Sequence, residues 1–257
     1  MSFSADWLAL RADADRRARD PMLAADLAEA LFETDPLRVL DLGSGTGANM
    51  AALAPLFGPK QQWLLVDHDA GLLDQVAPDP GIIVDRRVFD LSGDLAPLFD
   101  PAPHLVTASA FFDLSGAVLI DRLVGRIVET GAIFYTVLTY DGREEWQPPH
   151  PMDAEILSAF HADQHADKGL GPALGPEATR YLERAFNDAG YRVQTGDSPW
   201  KLTQTEDADL ISALAAGSAS AVRHRVGQDA ADEWRAARTS ADSVLIGHRD
   251  LLALPPV

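Results

Sequence analysis

A short apolar run that drives straight into three closely spaced glycines restricts this chain more than any other feature. The segment is Val39-Leu40-Asp41-Leu42-Gly43-Ser44-Gly45-Thr46-Gly47-Ala48-Asn49. Leu37 to Leu42 has the unbroken apolar character of a parallel strand covered on both faces. Without Cβ atoms, positions 43, 45 and 47 can turn sharply and let a ligand lie against the backbone. A helical pattern from Asn49 to Phe57 follows and is closed by Gly58-Pro59. Open α/β sheets bind ligands at such turns, at the carboxyl ends of their strands near the point where strand order reverses.

The same strand-then-helix order continues. Trp63 to Val66, Ile82 to Phe89, Leu105 to Ser109 and Ala132 to Tyr140 read as further strands. Leu72-Leu73 and the amphipathic stretch Val118 to Glu129, ended by Gly131, read as helices. This alternation predicts an α/β fold: a Rossmann-like, doubly wound, mostly parallel sheet with helices on both faces. Tyr191 to Thr195 and Ser243 to His248 bring the expected strands to seven, the last antiparallel. Before the sheet, Phe3 to Phe32 predicts two helices, the second capped by Asp20 and begun by Pro21. Asp141 to Pro151 reads as a polar connection, and helices are expected over Asp153–His165, Glu177–Ala189 and Glu206–Arg238. The expected organisation is one domain: a helical cap (1–35), a ligand-binding core (36–140), an acceptor or lid insertion (141–190), and C-terminal strands and helices (191–257).

Composition narrows the partners. The chain of 257 residues carries a net charge of −18 and has no cysteine. Disulfides, thiol nucleophiles and thiolate metal sites are thereby excluded. An acidic surface repels phosphate backbones and anionic lipid, so no nucleic-acid or membrane partner is expected. No apolar run reaches the roughly 20 residues of a membrane span, and the first residues lack a secretory signal, so a cytoplasmic address is expected. Oligomeric state is not readable.

Gly43-Ser-Gly-Thr-Gly-Ala48 also satisfies the dinucleotide pattern G-x-G-x-x-A, which receives a diphosphate. Asp41 weighs against that ligand. A carboxylate aimed at the cleft would repel a phosphate about 5 Å away by roughly 3 kcal/mol at an effective dielectric near 20, and would attract a cation. Asp67, at the end of the second strand, suits ribose hydroxyls in either case. No Tyr-x-x-x-Lys pair of an oxidoreductase is present.

With these residues in view, the segment 36–140 resembles the class I S-adenosylmethionine-dependent methyltransferases. The resemblance implies S-adenosyl-L-methionine as cofactor, held by Asp41, Gly43, Ser44, Gly45, Gly47 and Asn49. It further implies that Asp67, with His68 beside it, holds the ribose. Asp90 and the Leu91 backbone would read the adenine, and Ser109 would help close the floor after the fourth strand. The Asn/Asp-Pro-Pro-Tyr/Phe signature of many nucleic-acid and protein amino methyltransferases is absent, so a small polar or partly aromatic acceptor is expected. A dinucleotide-dependent oxidoreductase and a binding module without catalysis remain as alternatives.

Acceptor contacts are expected from the N-terminal helices and from the segment after the fifth strand. Those regions hold Trp7, Arg11, Tyr140, Asp141, Arg143, Trp146, His161, His165, Lys168 and Trp200. Tyr140 and His165 are the candidate catalytic residues, His165 as general base. His161 and His165 lie four apart, a spacing able to hold a metal, but no third ligand is identifiable and no metal is assigned. The glycine-rich loop 169–175 could serve as a lid. Arg11 and Arg19 could reach a carboxylate, although an exposed charged helix face accounts for both. Asp113 reads as the N-cap of the following helix.

Overall fold

The computed structural model describes residues 4–77, 81–165 and 170–256. Strands β1 (Leu37–Leu42), β2 (Gln61–Asp67), β3 (Ile82–Val88), β4 (Leu105–Ser109) and β5 (Ile133–Gln147) pair in parallel in the order β3-β2-β1-β4-β5. Beyond β5 the order continues with β8 (Ser243–Leu254) and then β6 (Arg192–Asp197), and β7 (Trp200–Thr203) also pairs with β8. β8 runs antiparallel to all three of its neighbours. The order reverses between β1 and β4, so the cleft expected at a switch point lies above their carboxyl ends.

Alternating side chains divide the core between the two faces of the sheet. Phe134 packs with Phe112 and Phe186 on one face, while its neighbour Tyr135 packs with Leu27 and Trp63 on the other. Helices α1 (Ala5–Ala18) and α2 (Pro21–Ala30) precede the sheet, and Asp20 caps α2 by accepting from the Met22 and Leu23 amides. Within the sheet run α3 (Ala48–Leu53), α4 (Ala70–Leu73) and α5 (Ala117–Thr130), the last closed by Gly131 at φ 66°. Then follow α6 (Asp153–Gln164), α7 (Ala178–Asp188), α8 (Gln204–Val226) and α9 (Gln228–Arg238). A third cluster, built on Trp146, Trp200 and Trp234, joins α6, α8, α9 and β7 to the outer half of β5. Among the described residues no helix is long and apolar enough to cross a membrane.

Several expectations need correcting. Among the described residues the sheet has eight strands rather than seven. β7 escaped notice because four residues carry too little pattern. The expected connection 141–151 is strand as far as Gln147: β5 bulges after Tyr140, with Gly142 at φ 90°, and resumes pairing at Glu144↔Ile246. Arg143 and Glu145 face outward while Trp146 is buried, so the segment looks polar although it is sheet. The boundary expected at 140/141 therefore falls inside a strand. The last strand runs on to Leu254, past the fully buried Asp250. Asp113 lies in a buried 3-10 turn, Phe112–Leu114, and the cap of α5 is Gly116.

Candidate functional site

A cleft of about 340 Å³ lies over the carboxyl ends of β1, β2 and β4, between the glycine loop and α1. The loop forms its floor through Gly43, Ser44, Gly45 and Asn49. Asp67 and His68 enter from β2 and Ser109 from β4, while Leu8, Arg11 and Arg19 form the roof. The three loop glycines adopt φ of 62°, 53° and 83°, the left-handed region that the sequence reserved for them. Their bareness serves packing: a Cβ on Gly43 would lie 2.8 Å from the Phe111 ring, and one on Gly45 would lie 3.0 Å from Leu8.

Asp67 locks the loop to β2. Its Oδ2 accepts from the Gly45 amide at 2.8 Å, its Oδ1 accepts from the Asp69 amide at 3.0 Å, and His68 Nδ1 lies 3.2 Å from Oδ1. A carboxylate offers about four acceptor sites, so Oδ2 keeps one for a ligand hydroxyl. The Ser44 and Gly47 amides are also committed, to the Val66 and Ser44 carbonyls. A phosphate laid on this loop would meet a carboxylate where a diphosphate site needs free amides.

Asp41 does not face the cleft, contrary to expectation. It is fully buried and absent from the cleft wall. Its Oδ1 accepts from Asn49 Nδ2 at 2.8 Å, while Oδ2 has no hydrogen-bond partner among the described residues. Burial pushes this carboxyl up to about 7, against the lowering effects of the Asn49 bond and the Arg19 charge. Because β1 is covered on both faces, its side chain at 41 turns beneath the loop and Asn49 comes between it and the cleft. Asn49 also donates to Thr107 Oγ1 at 3.2 Å and accepts from Arg19 Nη1 at 2.9 Å. The sign argument therefore passes from Asp41 to Asp67, whose carboxylate is on the cleft wall. Arg19 is the site residue that sequence reasoning undervalued: it follows α1 as its C-cap, where the Asp20-Pro21 restart turns the chain over the loop.

Asp90 and Leu91 do not line the cleft. Asp90 is exposed and accepts from the Ser92 amide, which holds its carboxyl below the ordinary value; Leu91 is buried in the core.

Tyr140 and His165 also lie off the cleft wall. Tyr140 belongs to a separate cluster in which its hydroxyl donates to Glu144 Oε1 at 2.9 Å and lies 3.0 Å from His161 Nε2. Burial raises the Glu144 carboxyl and lowers the His161 imidazole, so His161 is neutral at pH 7. His165 Nδ1 lies 3.0 Å from the Ala173 carbonyl, which can only accept, so Nδ1 carries a proton. Neither Glu144 nor the Tyr140–His161 bond was legible, since a strand bulge brings the first and tertiary packing the second. Among the expected acceptor residues, Trp146 and Trp200 are core, Asp141 and Arg143 pair with each other, and Arg11 is on the cleft wall. Trp7 packs against the third cluster. Lys168 and Gly169 lie outside the described residues. The described part of the expected lid is tied down, with Leu170 accepting from the Gly116 amide and Leu174 donating to the Ser115 carbonyl.

No protein-family model and no curated protein matches the sequence. Solved structures match over nearly the whole chain. A cyclopropane-fatty-acyl-phospholipid synthase-like protein from Lactobacillus casei is 16% identical with a TM-score of 0.57, covering 99% of this chain and 95% of its own. A cyclopropane synthase from Mycobacterium tuberculosis is 12% identical with a TM-score of 0.54, covering 98% and 94%. The plantazolicin methyltransferase, in complex with S-adenosylhomocysteine, is 13% identical with a TM-score of 0.50, covering 97% and 88%. This is the Rossmann-like methyltransferase fold. At these identities the likeness is one of architecture.

Proposed function

We propose that this protein transfers a methyl group from S-adenosylmethionine to a small-molecule acceptor. The observation that carries this reading is Asp67 bound to the Gly45 amide, which sets a hydroxyl-accepting carboxylate against the glycine loop where a diphosphate would be repelled. The cleft also suits a polar nucleoside in size and in unused bonding groups. Its volume, about 340 Å³, falls within the usual range for small-molecule sites. Arg19 Nε and Ser44 Oγ on its walls are buried without partners among the described residues. The plantazolicin methyltransferase, which shares the fold, is crystallised with S-adenosylhomocysteine.

S-adenosylmethionine would supply an already activated methyl group, passed in line to the acceptor. The chain's own part is to hold, align and keep water out. Asp67 takes ribose hydroxyls, and α1 covers the cleft with Leu8 and Arg11. An oxygen or nitrogen acceptor must also lose a proton. A small acceptor fits the net charge of −18, which opposes nucleic acid.

Calorimetry with S-adenosylmethionine, S-adenosylhomocysteine and both nicotinamide dinucleotides tests the reading. Binding of the sulfur nucleosides alone is expected; micromolar binding of a dinucleotide with neither of them would replace it by an oxidoreductase. Turnover of S-adenosylmethionine against a metabolite library then separates an enzyme from a binding module.

A further inference from the structure

We propose that the outer edge of β3 pairs antiparallel with β3 of a second copy of this chain, so that two sheets become one across a two-fold axis. β3 ends the strand order, and among the described residues no strand lies on its outer side. The Phe89 amide donates to the Asp67 carbonyl at 2.9 Å, in line with the parallel register Val88↔Asp67. Along a parallel strand, successive residues send their backbone groups to opposite sides. Residues 83, 85 and 87 therefore turn theirs to β2, while Ile82, Val84, Arg86 and Val88 turn theirs outward. Among the described residues nothing takes up those outward amides and carbonyls. An open row of this kind is a template for another strand.

The side chains point to the same strand as the partner. Ile83 and Val88 are 65% and 58% exposed, although edge strands are commonly kept free of exposed apolar groups. A two-fold axis normal to the sheet at Arg86 sets Val84 against Val88, Ile83 against Phe89 and Asp85 against Arg87, each contact made twice. Apolar pairs and opposite charges directly across from one another both stabilise a sheet. An axis at Asp85 would instead set Asp85 against itself and Ile83 against Arg87. At the chosen centre the two copies of Arg86 do not have to face each other, because Arg86 Nη2 donates back to the Val76 carbonyl of its own subunit at 2.8 Å.

Charge and covering favour the same edge. The net charge of −18 opposes contact between copies over most of the surface. β3 is an exception, since its charged residues are Asp85, Arg86 and Arg87. The connection from β3 to β4 forms a 3-10 turn, Ala96–Leu98, where crossovers between parallel strands are usually helical. A groove of about 190 Å³ remains over Leu64, Ile83, Asp85 and Arg87, and the added strand extends its wall.

Sedimentation equilibrium of the full chain from about 1 to 500 μM tests the pairing. A monomer–dimer equilibrium is expected. Hydrogen exchange followed by NMR should show protection that grows with concentration at the amides of Val84, Arg86 and Val88, and no such change at Asp85 and Arg87. Val88→Pro removes an outward amide at an edge position where proline is tolerated. Two bonds per dimer are lost, so association should weaken by about 10- to 100-fold, with the thermal midpoint of the dilute monomer unchanged. Asp85→Arg should dissociate the dimer by placing like charges across from each other, and Asp85→Arg combined with Arg87→Asp should restore it. If Val88→Pro does not fold, the charge exchange decides alone. A chain that stays monomeric throughout the range overturns the proposal. So does a dimer that withstands Asp85→Arg, or one that adds no protection at Val84 and Val88.

Discussion

Asp41 shows how far the setting of a single carboxyl can depart from its place in a pattern. It stands two residues before the first glycine, yet it is sealed below the loop with one oxygen unpartnered. Its folded value of about 7 lies above that of an unfolded aspartate. A group raised on folding stabilises fully below its unfolded value and loses that contribution as pH rises through the folded one. The span corresponds to roughly 4 kcal/mol as an order of magnitude. Asp41→Asn keeps an oxygen for Asn49 and removes the titration. The variant should therefore outlast the wild type in urea at pH 8, with the gap closing towards pH 4; a gap independent of pH would refute this origin. Asp67 makes a different prediction. Asp67→Ala removes a ligand acceptor and frees the Gly45 amide, so S-adenosylhomocysteine affinity should fall by about 1–3 kcal/mol. Unchanged affinity by calorimetry would remove Asp67 from the ribose site.

At the level of elements, the antiparallel strand β8 organises the C-terminal half of the sheet. It pairs with β5, β6 and β7, and at Asp250 it also binds the N-terminal segment. The Asp250 carboxylate accepts from the Asp20 amide, the Leu138 amide and the Ser198 hydroxyl, at 2.8, 2.8 and 2.6 Å. It thereby ties the start of α2, the irregular stretch of β5 where Leu138 has φ 58°, and the turn after β6. Asp250→Ala would strand two backbone donors as well as a hydroxyl. Urea unfolding should show a loss of about 3 kcal/mol or more. A loss below about 1 kcal/mol would mean that water replaces the carboxylate. The anchored Asp20 adjoins Arg19, so this junction also bears on where the roof of the cleft sits.

Over the whole molecule, 39 acidic residues face 21 basic ones. Self-repulsion of that size destabilises the compact state and is screened by salt. Raising sodium chloride from about 20 to 200 mM, across which the Debye length shrinks from roughly 20 to 7 Å, should raise the thermal midpoint. A fluorimetric melt that is flat or falling with salt would show that local ion pairs outweigh the net charge. The three buried clusters meet at different parts of the sheet, two on its faces and one against the outer half of β5. The third was the least visible in advance, because Trp146, Trp200 and Trp234 come from segments far apart in the chain, two of which read as loop or helix flank.

The sequence by itself determined what depends on near neighbours. The run from Leu37 to Leu42 became β1, Asp20 and Pro21 started α2, Gly131 ended α5, and glycines 43, 45 and 47 took the left-handed backbone open to them. Each of these is a local preference of backbone or cap, written within a few residues. Only the tertiary structure decided that Asp41 lies under the loop, that β5 continues to Gln147, that Glu144 and His161 meet on Tyr140, and that Arg19 overhangs the cleft. Those outcomes turn on which distant groups satisfy a buried charge or a strand edge, and a donor 112 or 230 residues away, as at Asp250, leaves no trace in the local pattern.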